Sequence, residues 1–273
     1  MQTPLPERLY KGYVFDLDGT VYLGEDLLPG AKRTIETLRQ AGCRMVFVSN
    51  KPVATRQSYA DKLTRLGLPT PVEDVLNSSQ VLIHYLHDRA PGSRLFPIGE
   101  QVLRDELTAA GFVLTEVPGE IEYVVASFDR TFVYRKLQIA FDAIRAGARF
   151  VATNADAYCP VPGGGEPDAA CIIAAIEACT GHPVEFIAGK PSTLMARTAL
   201  GLLRTEPSDT VMVGDRVETD TLMGQRAGMD TALPLTGATT LEKLRQSEIQ
   251  PNYVLERLDQ LLPAREIERF MLQ

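Results

Sequence analysis

Short apolar runs alternate with helical patterns along this chain, and that alternation restricts its fold more than any other feature. The apolar run Gly12–Phe15 is followed by Ala31, Ile35 and Leu38, which recur at helical spacing, and then by a second run, Met45–Val48. Strands that alternate with helices form parallel sheets whose two faces are covered by helices. We therefore expect an α/β fold with a doubly wound, Rossmann-like parallel sheet, in which ligands bind beyond the carboxyl ends of the strands.

A middle region with strands and helices of its own interrupts this alternation. Its strand patterns include Tyr123–Ala126 and Arg149–Ala152. The original alternation resumes with a strand at Phe186–Ala188, a helix capped by Ser192 and a strand at Val211–Val213. We therefore expect a core formed by residues 1–81 and 187–273, with an inserted α/β domain over residues 82–186.

The inserted region contains a proline- and glycine-rich segment, Pro160–Gly165. These residue types are typical of loops, so we expect a loop there. Asp168 then precedes the helical pattern of Ile172, Ile176 and Cys179, and it is a candidate for the N-terminal cap of that helix.

The overall charge argues against two classes of partner. The 273 residues include 28 Lys and Arg against 35 Asp and Glu, and the net charge of −7 has the wrong sign for a general nucleic-acid or anionic-membrane binder. No apolar run approaches the roughly 20 residues of a membrane-spanning helix, and residues 1–10 lack a signal-peptide pattern. We expect a cytoplasmic protein that binds neither nucleic acid nor membranes, with its four cysteines reduced and mostly buried.

Two carboxylates lie two residues apart immediately after the first strand, in the motif Asp16-Leu17-Asp18-Gly19-Thr20. Side chains two apart in extended chain share a face, so Asp16 and Asp18 can enter one crevice. Two close carboxylates do not readily both ionise unless a cation lies between them. The motif therefore favours a metal site over the alternative of a solvated Asp-Gly turn.

Further polar residues follow other strands of the same predicted sheet. They are Ser49-Asn50, Gly189-Lys190-Pro191, Gly214-Asp215 and Asp220. Mg²⁺ usually takes one or two protein carboxylates together with water and substrate phosphate oxygens, so Asp16 and Asp215 would suffice to hold it. Asp220 has an equally good alternative as an acid at a helix N-terminus.

Since the chain has neither a Walker loop nor a G-x-G-x-x-G fingerprint, nucleoside-triphosphate and dinucleotide sites lose their main support.

These motifs, in this order, resemble those of the haloacid dehalogenase-like superfamily. The form Gly214-Asp215-Arg216 with Thr219-Asp220, and the insertion between the second and third motifs, resemble the NagD or p-nitrophenyl phosphatase branch with its C2-type cap. The resemblance implies a Mg²⁺-dependent phosphatase acting on a small phosphorylated metabolite, and it suggests a homodimer. In that case residues 1–81 and 187–273 are the catalytic core and residues 82–186 the cap.

The resemblance also implies a role for each motif residue. Asp16 attacks phosphorus to form an aspartyl phosphate, while Asp18 protonates the leaving oxygen and later activates water. Mg²⁺ is held by Asp16, the Asp18 carbonyl and Asp215. Ser49 and Lys190 bind the phosphate, and Asn50 both binds it and orients the site. Thr20 supports the loop, and Asp220 supports the metal ligands.

The inserted domain departs from the usual pattern of that branch, because Glu166-Pro167-Asp168-Ala169-Ala170 stands where a Pro-Gly-small-Gly stretch is common. Candidate substrate contacts there are Asn154, Asp156, Glu166 and Asp168. Carboxylates accept hydrogen bonds from hydroxyl groups, which favours a sugar or polyol phosphate. The alternative is that Asp168 only caps its helix.

Two other functions remain open at this stage. One is a sensor that binds a phosphate ester with little turnover, which the intact Asp18 argues against because binding alone needs no proton carrier. The other is a sugar phosphomutase, against which only the family analogy of the large cap argues. Dehalogenation is disfavoured, since Asp18, Ser49-Asn50 and the acids around a cation suit a phosphoryl group.

Overall fold

The computed structural model describes residues 4–161 and 164–263. These residues form two compact units. The first unit consists of residues 4–49, 56–76 and 190–263, and the second of residues 50–55, 77–161 and 164–189.

The secondary structure alternates between strands and helices over most of the described chain. The first part contains β1 (Gly12–Asp16), β2 (Tyr22–Leu23), β3 (Asp26–Leu27), α1 (Ala31–Gln40), β4 (Arg44–Ser49), α2 (Arg56–Arg65) and β5 (Val75–Asn77). The middle contains α3 (Ser78–Arg89), β6 (Arg94–Ile98), α4 (Gln101–Ala109), β7 (Val113–Leu114), β8 (Tyr123–Ala126), α5 (Tyr134–Arg145), β9 (Arg149–Ala152), β10 (Tyr158–Val161), β11 (Gly164–Pro167), α6 (Ala169–Thr180) and β12 (Phe186–Ile187). The last part contains α7 (Thr193–Leu203), β13 (Thr210–Val213), a π-helical turn (Val217–Thr221), α8 (Leu222–Ala227), β14 (Asp230–Pro234), α9 (Leu241–Gln246) and β15 (Tyr253–Leu255).

The first unit is built on a six-stranded sheet with the order β15-β14-β13-β1-β4-β5. Each neighbouring pair of strands is parallel from β15 through β14, β13 and β1 to β4. Every residue of the central strand β1 is buried, as expected for a parallel strand covered on both faces. The predicted α/β fold with a Rossmann-like parallel sheet is confirmed.

Aromatic side chains pack in a row across the centre of this sheet. The rings of Tyr13 and Phe15 stack with centroids 5.8 Å apart, and those of Phe15 and Phe47 with centroids 5.9 Å apart. Ile35 and Leu38 of α1 are also fully buried. Burial of each such side chain stabilises the fold by about 1.5–3 kcal/mol, so the strands that end at the polar motifs are held rigidly.

The second unit has its own five-stranded sheet, with the order β12-β9-β8-β6-β7 and parallel pairing throughout. Its core includes Val124 and Phe150 from the sheet, Ile144 from α5 and Ile176 from α6. The strand predicted at Phe186–Ala188 is present as β12 (Phe186–Ile187), but its expected place in the sheet of the first unit was wrong, because it pairs with β9 and so belongs to this sheet.

The prediction of a loop at Pro160–Gly165 was wrong. Strands β10 and β11 form an antiparallel hairpin in which Cys159 pairs with Glu166, while residues 162 and 163 lie outside the described part. Glycine permits this pairing because a Cβ at Gly165 would lie only 2.7 Å from the Tyr158 ring. The cross-strand backbone hydrogen bonds therefore form despite the poor strand propensity of the segment.

Two expectations from composition concern membranes and disulfides. Among the described residues, no helix has the length and apolarity needed to cross a membrane. Cys43, Cys159, Cys171 and Cys179 form no disulfide with one another. The expectation that most of them are buried was wrong, because Cys43 and Cys159 are half-buried and Cys171 and Cys179 are exposed.

Candidate active site

Three neighbouring strands of the first unit end at the same edge of the sheet, and each is followed by polar residues. In the order β13-β1-β4, Phe15 pairs with Val213 and Asp16 pairs with Val48. Ser49, Asp16 and the pair Gly214-Asp215 therefore lie at adjacent carboxyl ends. This is the edge at which parallel α/β sheets bind ligands.

Three buried carboxylates come together at this edge. Asp16, Asp215 and Asp220 can each offer an oxygen atom, and these atoms lie within 4.8 Å of one another. Burial, together with the charge of Asp16, raises the pKa of Asp215 to about 6. Burial also raises the pKa of Asp220 to about 7, with the ammonium of Lys190 acting in the opposite direction. The cluster thus needs compensating positive charge to stay ionised.

Lys190 supplies part of that charge from within the cluster. Its ammonium is only 4% exposed and donates hydrogen bonds to Asp16 Oδ1 and, over 2.7 Å, to Asp220 Oδ1. Burial lowers the pKa of Lys190, but the charges of Asp16 and Asp220 outweigh it and raise the pKa overall. One ammonium does not balance the negative charge of three carboxylates. The excess negative charge favours binding of a divalent cation.

The oxygen atoms of the cluster are not equally engaged. Asp220 uses both oxygens, one with Lys190 and the other as acceptor from the backbone N–H of Arg216 at 3.1 Å. Asp215 Oδ2 accepts from the backbone N–H of Ala238 at 2.5 Å, whereas its Oδ1 is buried without a hydrogen-bond partner. Such a buried unpaired oxygen is rare and suits a bound cation. Hard divalent cations prefer oxygen ligands of this kind, so the residues present fit a divalent metal ion.

The loop after β1 fits closely against the same cluster. Thr20 is fully buried and its hydroxyl donates to Asp16 Oδ2 at 3.4 Å. Gly19 has a φ of +88°, and a Cβ there would lie 2.6 Å from Asp215 Oδ2, so this turn requires glycine. Asp18 is half-buried and forms an isolated bridge with Tyr22.

The adjacent residues Ser49 and Asn50 lie in different units. Ser49 is buried at the end of β4, and its hydroxyl donates to the Tyr59 hydroxyl at 3.4 Å. Asn50 belongs to the second unit, where its amide donates to Asp156 Oδ2 at 3.0 Å.

Three of the four candidate residues of the inserted domain form one hydrogen-bonded network within the second unit. The buried amide of Asn154 donates to Asp156 Oδ2 at 3.0 Å and to Asp168 Oδ1 at 3.1 Å. Asp168 occupies the N-cap of α6, as the sequence indicated, and accepts from the backbone N–H of Ala169 at 2.5 Å. Burial raises the pKa of Asp168. Glu166 is half-exposed on β11 and faces Arg130, whose Nη1 is 3.8 Å from its Oε2.

Sequence reasoning missed one segment of the site, Thr236–Thr239, which follows β14. Besides the Ala238 contact, the backbone N–H of Thr239 donates to the Asp215 carbonyl at 3.2 Å. The available signal was the apolar run that ends at Pro234, since the next residues must lie at the same sheet edge as Asp215.

The comparisons with known proteins agree with this geometry. A family model described as haloacid dehalogenase-like hydrolase matches residues 13–113, and a second, described as HAD-hydrolase-like, matches residues 187–261. Sugar-phosphatase AraL of Bacillus subtilis is 38% identical over 247 residues, which cover 90% of this chain and 90% of AraL.

Solved structures show the same likeness. The 4-nitrophenylphosphatase of Thermotoga maritima is 36% identical with a TM-score of 0.88, over 92% of this chain and 96% of its own. NagD of Escherichia coli is 28% identical with a TM-score of 0.83, over 92% of this chain and 98% of its own. The chain therefore belongs to the haloacid dehalogenase-like hydrolases. Within that family its neighbours are the NagD and 4-nitrophenylphosphatase group.

Proposed function

We propose that this protein is a Mg²⁺-dependent phosphatase that hydrolyses small phosphomonoesters, with sugar or polyol phosphates as substrates. The observation that carries the proposal is the buried cluster of Asp16, Asp215 and Asp220 with the Lys190 ammonium, in which Asp215 Oδ1 is left without a hydrogen-bond partner. The relative named sugar-phosphatase AraL supports the substrate class. In this proposal residues 1–81 and 187–273 are the catalytic core and residues 82–186 the cap, with a cytoplasmic location and a homodimer as further predictions from the sequence.

Mg²⁺ would be held by the carboxylates of Asp16 and Asp215 and by the carbonyl of Asp18. When bound, the cation would neutralise charge on the transferring phosphoryl group. Asp220 has a different role, which is to hold the Lys190 ammonium in place. This role is supported by the hydrogen bonds that both Asp220 carboxylate oxygens already accept.

Asp16 is the proposed nucleophile. One of its carboxylate oxygens forms a bond to phosphorus while the bond from phosphorus to the ester oxygen breaks, and Asp18 gives its proton to that leaving oxygen. The carboxylate of Asp18 then takes a proton from water, whose oxygen bonds to the phosphorus of the aspartyl phosphate while the bond from phosphorus to the Asp16 oxygen breaks. This step releases phosphate and restores the Asp16 carboxylate. The contacts of Lys190 and Thr20 support this role, because they hold the Asp16 carboxylate in one orientation.

The other polar residues are proposed substrate-binding groups. Ser49, Asn50 and Lys190 are the proposed phosphate-binding groups. The candidate contacts to substrate hydroxyl groups are Asn154, Asp156, Glu166 and Asp168. Of these, Asn154, Asp156 and Asp168 share one hydrogen-bonded network.

The test is phosphate release from p-nitrophenyl phosphate and from a panel of sugar, polyol, nucleotide and glycolate phosphates, with Mg²⁺ and with chelator. We expect Mg²⁺-dependent release that is lost in Asp16→Asn while that variant stays folded. The absence of release from every ester, by a folded protein that binds Mg²⁺, would contradict the proposal and favour a sensor. Isomerisation of a sugar phosphate without phosphate release would instead favour a phosphomutase.

A further inference from the structure

The segment Thr236–Thr239, which we call the β14 loop, contacts the proposed metal ligand Asp215. No motif in the sequence indicated this contact. We propose that the β14 loop is a positioning element, which fixes the Asp215 carboxylate so that Oδ1 alone is free for the metal ion. This inference rests on the proposed function, because it concerns how the same metal site is formed.

Two consecutive backbone amides of this loop bind Asp215. The N–H of Ala238 donates to the side-chain atom Oδ2, and the N–H of Thr239 donates to the backbone carbonyl at 3.2 Å. The loop thus holds both the backbone and one carboxylate oxygen of the same residue. Rotation of the carboxylate would break the first bond, so Oδ1 is kept as the atom without a hydrogen-bond partner.

Gly237 makes this arrangement possible because it has no side chain. A Cβ at this position would overlap Oδ2, Cγ and Cβ of Asp215. The backbone of Gly237 is not left-handed, so its requirement for glycine is one of space alone. A substitution there acts directly on the position of the Asp215 carboxylate.

The same loop is also tied to the motif that carries Asp16. The hydroxyl of Thr236 donates to the carbonyl of Gly19 at 2.8 Å, and the Cβ position of Gly19 lies 3.2 Å from Gly237 Cα. The β14 loop therefore touches both loops that supply the proposed metal ligands. It sets the position of Asp215 relative to Asp16.

The experiment is a calorimetric titration of the metal-free protein with Mg²⁺, which measures affinity without turnover. We expect Gly237→Ala to weaken Mg²⁺ binding by about 10–100-fold, the usual effect of disturbing a group that orients a metal ligand. The matched control is Gly201→Ala on α7, where a Cβ meets nothing within 4 Å and Mg²⁺ affinity should not change. Thermal unfolding without metal identifies any variant that fails to fold.

A second pair of variants decides the matter if Gly237→Ala does not fold. Thr236→Val removes the hydroxyl that bonds Gly19 and should weaken Mg²⁺ binding, whereas Thr236→Ser should restore the wild-type affinity. If Gly237→Ala or Thr236→Val folds and binds Mg²⁺ as tightly as wild type, this inference is wrong. That result would not contradict the proposed phosphatase function. Wild-type protein that binds no Mg²⁺ would instead refute the proposed metal site itself.

Discussion

The ammonium of Lys190 lies between the carboxylates of Asp16 and Asp220 at a place that water hardly reaches. A buried charge is tolerated only when it is paired, and the three groups therefore depend on one another. Since Asp220 has both oxygens engaged, its contribution is to Lys190, and the carboxylate oxygen without a hydrogen-bond partner belongs to Asp215. At the scale of single residues, the site is a balance between one ammonium and a surplus of carboxylates.

Removal of that ammonium should be costly. We expect Lys190→Met to lower the free energy of unfolding by about 3–5 kcal/mol in the presence of chelator, because two buried carboxylates lose their partner. Urea unfolding measures the change. The control is Lys243→Met, which removes the exposed ion pair with Glu218 and should cost less than about 1 kcal/mol. Equal losses in the two variants would show that Lys190 is not the counter-charge of the cluster.

Among the elements of the first unit, strands β1 and β4 end at Asp16 and Ser49, and Asp215 closely follows the end of β13. Strands β1, β4 and β13 were predictable because each is a short apolar run followed by polar residues. Neither β14 nor the β14 loop was predicted from the sequence. The hairpin of β10 and β11 was mistaken for a loop because local composition does not report cross-strand pairing.

The N-terminus of α6 offers a test of whether Asp168 is a cap or a substrate contact. We expect Asp168→Ala to destabilise the protein by about 1 kcal/mol, while Asp168→Ser, which can still cap, retains stability. Thermal unfolding measures both. The substrate role predicts that Asp168→Ser lowers kcat/KM for sugar phosphates more than for p-nitrophenyl phosphate. An equal change on both substrates would leave only the helix cap.

At the scale of the whole molecule, the chain forms two units, each with its own parallel sheet and core. The three acids and the lysine of the cluster all belong to the first unit, although they come from segments more than 170 residues apart. A ligand of this cluster binds the folded first unit and not the unfolded chain. Its binding free energy therefore adds to the stability of the fold.

Mg²⁺ should accordingly raise the midpoint of thermal unfolding. At a concentration a hundredfold above Kd the added stability is about 2.7 kcal/mol. We expect the shift in wild-type protein and not in Asp215→Asn, with a monovalent salt at equal ionic strength as the control for screening. A shift of the same size in Asp215→Asn would place the cation elsewhere.

Local sequence patterns were sufficient to predict the fold class and the positions of the polar residues that follow the strands. Strand periodicity and burial depend on local patterns, so Asp16, Ser49 and Asp215 were each predictable as residues that follow a buried strand. The order of the motifs was also sufficient to indicate the haloacid dehalogenase-like family. These features depend on residues that are neighbours in the chain.

Which oxygen of each carboxylate accepts a hydrogen bond depends on contacts that form only in the folded protein. Asp220 is bound by Lys190, and Asp215 is bound by the β14 loop, through contacts between residues far apart in the chain. Hydrogen bonding and close packing act between atoms at distances of a few ångströms, and local sequence patterns do not encode those distances. For the same physical reason, the role of Gly237 emerges only when the side chain of Asp215 is seen to fill the space that a Cβ would need.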